Sequence, residues 1–259
     1  MKIYRAYAKV NIFLKITGTR GNYHEILSRF MKVQSLYDEV SFKEKESEDF
    51  EIIGDFSCET TQNTIYKAYI ALLEYTKSEA LKNLMIKYAV DVKKNIPAFA
   101  GLGGGSSDSA TYLKMCNEIL DLKLTKDELA SIGLKVGADV PFFIYGYDSA
   151  TVSGIGEIVE EFKEPLLNFD VYTPKIEIST PKVYVSYREN FYNPIVKDEI
   201  QYLTKATSKE ILKSKTPEDA NDLFAPALKE YKDLKTHHKV GYFFSGSGSS
   251  FFTVIYIKG

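Results

Sequence analysis

The stretch Pro97-Ala-Phe-Ala-Gly-Leu-Gly-Gly-Gly-Ser-Ser-Asp108 decides how this chain is read. Glycines at 101, 103, 104 and 105 permit backbone angles closed to larger residues and let a ligand approach the main chain. The segment runs into Ser109–Leu120, where Ala110, Leu113, Cys116 and Leu120 keep helical spacing, so a helix is predicted directly after the loop. The opening amides of such a helix have no partner inside it and converge on negative charge. Ser106 and Ser107 add hydroxyls that reach phosphate oxygens or, through a carboxylate or water, Mg²⁺. Two readings follow, an anion site and a glycine-rich turn. Four glycines in five positions carry an entropic cost that a plain turn does not need, which favours the anion site.

Familiar phosphate and nucleophile loops do not fit. Gly105 stands where a Walker A loop has lysine before its Ser106, and Ser106 falls where a GxGxxG pattern counted from Gly101 needs its last glycine. No GxSxG elbow surrounds the serines, and the HRDLxxxxN and DFG elements of protein kinases are absent. P-loop NTPases, Rossmann dehydrogenases, α/β-hydrolases and protein kinases all lose support.

Upstream of the loop, residues 3–16 alternate Val10, Ile12, Leu14 and Ile16 with Lys9, Asn11, Phe13 and Lys15, a half-wet strand that does not by itself separate Lys9 from Lys15. A loop is expected at Gly18–Asn22, a β pattern over Ile26–Phe42 with a turn near Asp38, and a solvated connection at 43–51. Residues 62–75 predict a helix, and Leu84–Val92 a strand. Downstream, Thr125–Glu128 has the spacing of a capping box for a helix that stops near Gly137. Residues 140–152 look like an extended buried segment broken by Gly146, and Ile176 and Ile178 like a strand between Pro174 and Pro181. Two short helices are expected over 195–215, a helix start at Thr216–Pro217, and strand, Gly/Ser loop, strand from Val240 to the end. Asp139, in an apolar setting before Pro141, has two readings: it orients or deprotonates a hydroxyl while a lysine such as Lys9 offsets developing charge, or it is a structural cap or partner of Lys9.

Composition narrows the setting. With 33 Lys+Arg against 35 Asp+Glu, the net charge of −2 gives no general attraction to nucleic acid. Two cysteines, Cys58 and Cys116, make neither a disulfide framework nor a CxxC site, and three histidines leave little for zinc. No signal-peptide core or membrane-length apolar run is seen, so a cytoplasmic protein without nucleic-acid or membrane partners is expected, as a monomer or weak homodimer.

The chain resembles the GHMP small-molecule kinases, a family that includes galactokinase and homoserine, mevalonate and phosphomevalonate kinases. Three stretches match its motifs in order: Ala8-Lys-Val-Asn-Ile-Phe-Leu14, Ala98–Ala110 with GLGGGSSDSA, and Phe244-Ser-Gly-Ser-Gly-Ser-Ser250. The resemblance implies an α/β (α+β, two-lobe) fold, with a ribosomal-S5-like N-terminal domain over 1–155 and a ferredoxin-like C-terminal domain over 156–259. Within the family, Asn22-Tyr-His-Glu-Ile26, Gly137-Ala-Asp-Val-Pro-Phe142, Ser179-Thr-Pro-Lys-Val-Tyr184 and Asn221-Asp-Leu223 resemble the branch acting in non-mevalonate isoprenoid biosynthesis. That branch phosphorylates the 2-hydroxyl of 4-diphosphocytidyl-2-C-methyl-D-erythritol with ATP and Mg²⁺.

Carried over by position, Lys9 and Asp139 resemble the catalytic pair, and Asn11 holds the polyol end. Tyr23, His24 and Tyr184 match the part that receives cytosine, the aromatic faces sandwiching the base. ATP is implied on Pro97, Ala98, Phe99, Ala100, Gly101, Leu102, Gly103, Gly104, Gly105, Ser106, Ser107 and Asp108, with Asn63 and Lys94 in regions resembling the adenine-side walls. The chain departs from the family pattern at Arg20-Gly-Asn-Tyr-His24, which is shorter than the usual Arg-x-Asp-Gly-Tyr-His, and at Asp108, where asparagine is common. Rival readings are a different small-alcohol kinase of this family and an inactive nucleotide-binding regulator. The retention of Lys9, Asp139 and the glycine loop argues against the second.

Overall fold

The computed structural model describes residues 2–21, 23–193 and 195–255. The chain forms two compact units that interleave in sequence: 1–8, 36–98 and 103–146 in the first, 9–35, 99–102 and 147–259 in the second.

Strands β1 (Tyr4–Arg20) and β2 (Tyr23–Glu44) are long enough to belong to both units. In the first unit they are followed by β3 (Ile52–Ile53), α1 (Thr64–Thr76), α2 (Glu79–Lys87) and β4 (Tyr88–Lys93). Next come α3 (Gly104–Ile119), α4 (Lys126–Leu134) and α5 (Val140–Tyr145). The second part of β2 pairs antiparallel with β4 from Glu39↔Lys93 to Glu44↔Tyr88, and β3 joins β4 in parallel. Helices α1, α3, α4 and α5 pack together. Their inward residues include Ile65, Leu72, Leu113, Cys116 and Ile132, and burial pushes the Cys116 thiol up to about 12, leaving it a packing residue.

The second unit holds β5 (Ser149–Gly154), β6 (Ile158–Glu161) and β7 (Phe169–Tyr172), then α6 (Thr180–Asn190), α7 (Lys197–Lys205) and α8 (Ser208–Ser214). It ends with α9 (Pro217–Ala220), α10 (Phe224–Glu230), α11 (Leu234–His237), β8 (Phe243–Phe244) and β9 (Phe251–Val254). The first part of β2 pairs antiparallel with β5, and β5 with β6. A separate antiparallel sheet runs β7-β9-β8.

Local rules account for the helix starts. Thr125 and Thr207 each close a full capping box, with Glu128 and Glu210 as the reciprocal partners. Thr216 accepts from Asp219 N ahead of Pro217. Several expectations are corrected, each for a tertiary reason. Strand β1 continues into the expected loop as far as Arg20, and Asn22 lies outside the described residues. No turn forms at Asp38; β2 runs straight through it, and the buried Asp38 carboxylate accepts from Asn95 N and Ile96 N instead.

The apolar run 84–92 is the end of α2, capped by Ser78, followed by β4. The segment 140–145 is helix α5, five of its residues buried. A continuous apolar run has no period with which to tell helix from strand. Ile176 and Ile178 lie outside any strand; Ile178 is buried by packing beside Gly248. Finally, β1 is not half-wet, since Lys9, Asn11 and Phe13 are as buried as Val10 and Ile12. Among the described residues no helix is long and apolar enough to cross a membrane.

Candidate active site

The helix expected over Ser109–Leu120 begins earlier, at Gly104 inside the glycine loop itself. Gly103 sits at φ 73° as the residue before α3, and the helix ladder begins with Ser107 N donating to Gly103 O at 2.8 Å. The amides of Gly104, Gly105 and Ser106 precede that bond, which leaves them for a ligand. Of the loop side chains, Ser106 is part-exposed, whereas Leu102, Ser107 and Asp108 are buried. A Cβ placed on Gly137 would lie 3.7 Å from Ser106 Oγ, so the turn carrying Asp139 lies against the start of α3. Asp139 precedes α5, but its side chain makes no capping hydrogen bond to that helix. The structural-cap reading loses its basis.

Beneath the loop, Lys94 bridges Asp38 and Asp108, the latter at 2.6 Å. Burial opposes the Lys94 charge, yet the two carboxylates hold its pKa above the usual lysine value. At Asp108 burial dominates and pushes the carboxyl up to about 7, against the pull of Lys94. Lys94 is thus occupied within the fold, and Asn63 caps α1 by accepting from Ile65 N at 2.9 Å. A carboxyl whose folded pKa lies above its ordinary 3.8 stabilises the fold below that value and loses the contribution as pH rises through about 7. Wild-type stability is expected to fall by about 2–4 kcal/mol more than that of Asp108→Asn between pH 4 and 8. Urea midpoints across that range measure it, and parallel curves for the two proteins would contradict it.

In the second unit, all three motifs meet. Gly101 has φ 72°, and a Cβ there would stand 2.1 Å from the Ser245 carbonyl oxygen, so only glycine fits. Ser245 Oγ donates to Gly101 O at 3.0 Å and accepts from Asn11 N at 3.4 Å. Lys9 N donates to Leu102 O at 3.0 Å, and Ser250 N to Ala100 O at 3.1 Å. Asn221 Nδ2 holds the third motif by donating to both Phe244 O and Gly246 O at 2.9 Å. Lys9 is 3% exposed; its ammonium donates to Asn11 Oδ1 at 2.6 Å and lies 4.4 Å from the centre of the Phe30 ring. Lys15 instead pairs with Asp222 at 2.5 Å, which separates the two lysines that alternation alone could not.

A second cluster of the same unit lies on the start of β2 and on α6. His24 packs its ring 5.0 Å from Tyr184 and edge-on to Tyr187 at 6.3 Å. Burial, then the charge of Arg188, lowers its pKa below the usual 6.5, which keeps the imidazole neutral near pH 7. Its Nε2 is buried without a hydrogen-bond partner, a state that native folds rarely leave to waste. Tyr23, the neighbour of His24, is 65% exposed. Tyr187 joins this cluster, and its only mark in the sequence is its three-residue spacing from Tyr184.

Fold and loop together define a class, the GHMP kinases: residues 63–147 match the description "GHMP kinases N terminal domain". A Sulfurimonas denitrificans protein named 4-diphosphocytidyl-2-C-methyl-D-erythritol kinase is 68% identical, covering 98% of this chain and 97% of its own. A Campylobacter jejuni protein of the same name is 42% identical over 96% and 99%. A crystal structure of 4-(cytidine 5'-diphospho)-2C-methyl-D-erythritol kinase superposes with a TM-score of 0.74 at 28% identity, covering 98% and 90% of the two chains. The chain belongs to the 4-diphosphocytidyl-2-C-methyl-D-erythritol kinase family, and it is an ATP-dependent kinase.

Proposed function

We propose that this kinase transfers the γ-phosphoryl group of ATP to the 2-hydroxyl of 4-diphosphocytidyl-2-C-methyl-D-erythritol, a step of non-mevalonate isoprenoid precursor synthesis, in the cytoplasm. The observation that carries the acceptor is the orphaned His24 Nε2 beside the Tyr184 ring: a base edge satisfies the first and stacks on the second. ATP lies along residues 97–108, its phosphates on the amides that open α3. Asp139 orients the acceptor hydroxyl and takes its proton, while Lys9 and the loop amides offset charge on the transferred group. Asn11 holds Lys9 and the polyol end. Transfer is direct, so Ser106 and Ser107 act as ligands and no phosphoenzyme forms.

Mg²⁺ fits this donor set as a companion of the nucleotide. Among the described residues no cluster of three His, Cys, Asp or Glu could hold a metal alone. Mg²⁺ commonly uses substrate phosphates with few protein ligands, and Ser106 is the loop hydroxyl with partial exposure. Bound there, the ion would supply charge neutralisation. The domain division at 155/156 and a monomeric or weakly dimeric state belong to the same reading.

Mass-resolved transfer from Mg·ATP to the cytidyl substrate, beside homoserine and mevalonate, tests the assignment. A monophosphorylated cytidyl product matched by ADP supports it; phosphorylation of another alcohol in preference overturns it. Tyr184→Ala is expected to raise KM for the cytidyl substrate about 5- to 150-fold, the equivalent of ~1–3 kcal/mol of stacking, with little change in kcat. An unchanged KM would remove Tyr184 from the base site.

A further inference from the structure

We infer that Ser28 is a positioning residue that sets the orientation of the Asn11 carboxamide and, through it, the place of the Lys9 ammonium. This inference rests on the kinase reading above for its catalytic consequence, but its geometry stands on the hydrogen bonds alone. Ser28 is fully buried on β2. Asn11 Nδ2 donates to Ser28 Oγ at 3.0 Å, and Ser28 Oγ donates in turn to Phe13 O. On the other side of the same amide, Lys9 Nζ donates to Asn11 Oδ1 at 2.6 Å.

The polarity of this chain is fixed at both ends. An ammonium can only donate and a main-chain carbonyl can only accept. The Asn11 atom facing Lys9 must therefore be oxygen, which turns its NH₂ toward Ser28. The serine must accept from that group and send its own proton to Phe13 O. Only one of the two amide orientations satisfies every group. With the serine oxygen gone, the buried NH₂ loses its acceptor and nothing on that side opposes rotation of the amide. A rotated amide would present donors to the Lys9 donor, a repulsive arrangement.

Strand alternation explains why one short segment does this. Ser28 and Phe30 share a face of β2: one orients Asn11, the other places its ring beneath the Lys9 ammonium. Asn11 is also fixed by its main chain, through Ser245 to Gly101. The backbone is thus held independently of Ser28, so loss of the serine should disturb the side chain more than the strand.

The test compares full-length Ser28→Ala, Ser28→Cys and Ser28→Thr. Cysteine keeps the volume with a weak acceptor, so it remains informative where alanine fails to fold; threonine restores the hydroxyl. Alanine and cysteine are expected to lower kcat about tenfold or more through misplacement. KM for both substrates should stay within about twofold, and threonine should recover most of kcat. In an Asn11→Ala background, Ser28→Ala should change kcat by less than about twofold, since the group it orients is gone. Hydrogen exchange of the Asn11 side-chain amide, followed by ¹⁵N NMR, should speed up in the alanine and cysteine variants and return toward wild type with threonine.

Normal kcat in a folded alanine or cysteine variant, or full additivity with Asn11→Ala, would overturn the inference. So would unchanged exchange of the Asn11 amide. If wild-type protein phosphorylates no cytidyl acceptor, the functional assignment fails while the exchange experiment still decides the role of Ser28.

Discussion

Asp139→Asn is expected to lower kcat by roughly 10²- to 10⁴-fold, the usual contribution of a positioned general base, while both KM values move only a few-fold. Asparagine keeps the shape and one oxygen of the side chain, so it can still orient a hydroxyl, but it cannot take the proton. The exchange keeps the size of the side chain, and α5 does not depend on it for a cap: Pro141 near the start of that helix and Gly146 at its end provide the local stops. Asp139 stands on the turn that lies against the start of α3, where a Cβ on Gly137 would be 3.7 Å from Ser106 Oγ. Quenched-flow measurement of the phosphoryl-transfer step with saturating Mg·ATP and acceptor separates chemistry from product release. A transfer rate within a few-fold of wild type would show that water receives the proton and would leave Asp139 an orienting group only.

How much of this could be read from sequence depends on whether the signal was local. The capping residues Thr125 and Thr216 need only neighbouring residues to be recognised and stand where expected, whereas α3 begins at Gly104, five residues before the expected start, because glycines 104 and 105 enter the helix. Lys9 and Asn11 were recognisable by resemblance, but their physical mark is burial, and a two-residue alternation cannot show that both faces of β1 are covered. Ser28, Arg29 and Phe30 illustrate the same limit. Read as a string they are one polar, one charged and one apolar residue of an ordinary strand. In the fold the first and third serve the Lys9 side, and the second enters a wholly buried network. Aspartate favours turns, so the local sequence at Asp38 points to one, yet its partners lie more than fifty residues away. The helix at 140–145 lies in an unbroken apolar run with no period to read, whereas α2 shows its helical period only when Ser78, Leu81, Leu84 and Met85 are taken together with the polar residues between them.

That buried network gives the largest expected loss of stability: Glu164→Ala should cost about 3–5 kcal/mol, as expected when one partner of a buried ion pair is removed. The Arg29 side chain is 0% and Glu164 3% exposed. Arg29 meets Glu164 at 3.5 Å, Thr151 Oγ1 at 3.3 Å, Leu203 O at 3.2 Å and Ala206 O at 3.4 Å, with Phe162 stacked 3.3 Å from its guanidinium carbon. Burial lowers its pKa to about 10 against the opposing pull of Glu164, so the guanidinium remains charged at neutral pH. Glu164 meanwhile accepts from Ser149 Oγ at 2.7 Å, Ser208 N at 2.7 Å and Ser208 Oγ at 2.6 Å. Removing the carboxylate strands a cation and three donors at once. Removing the cation by Arg29→Met leaves Glu164 with those three donors and an apolar chain in the guanidinium's place, so that variant should lose distinctly less. Because the network ties β2 and β5 to α7 and α8, the loss should appear in the unfolding of the second unit. Urea unfolding followed by hydrogen exchange of the Thr151 and Ser208 amides measures it. Equal losses in the two variants would mean that packing around Phe162, rather than the buried charge, sets the cost.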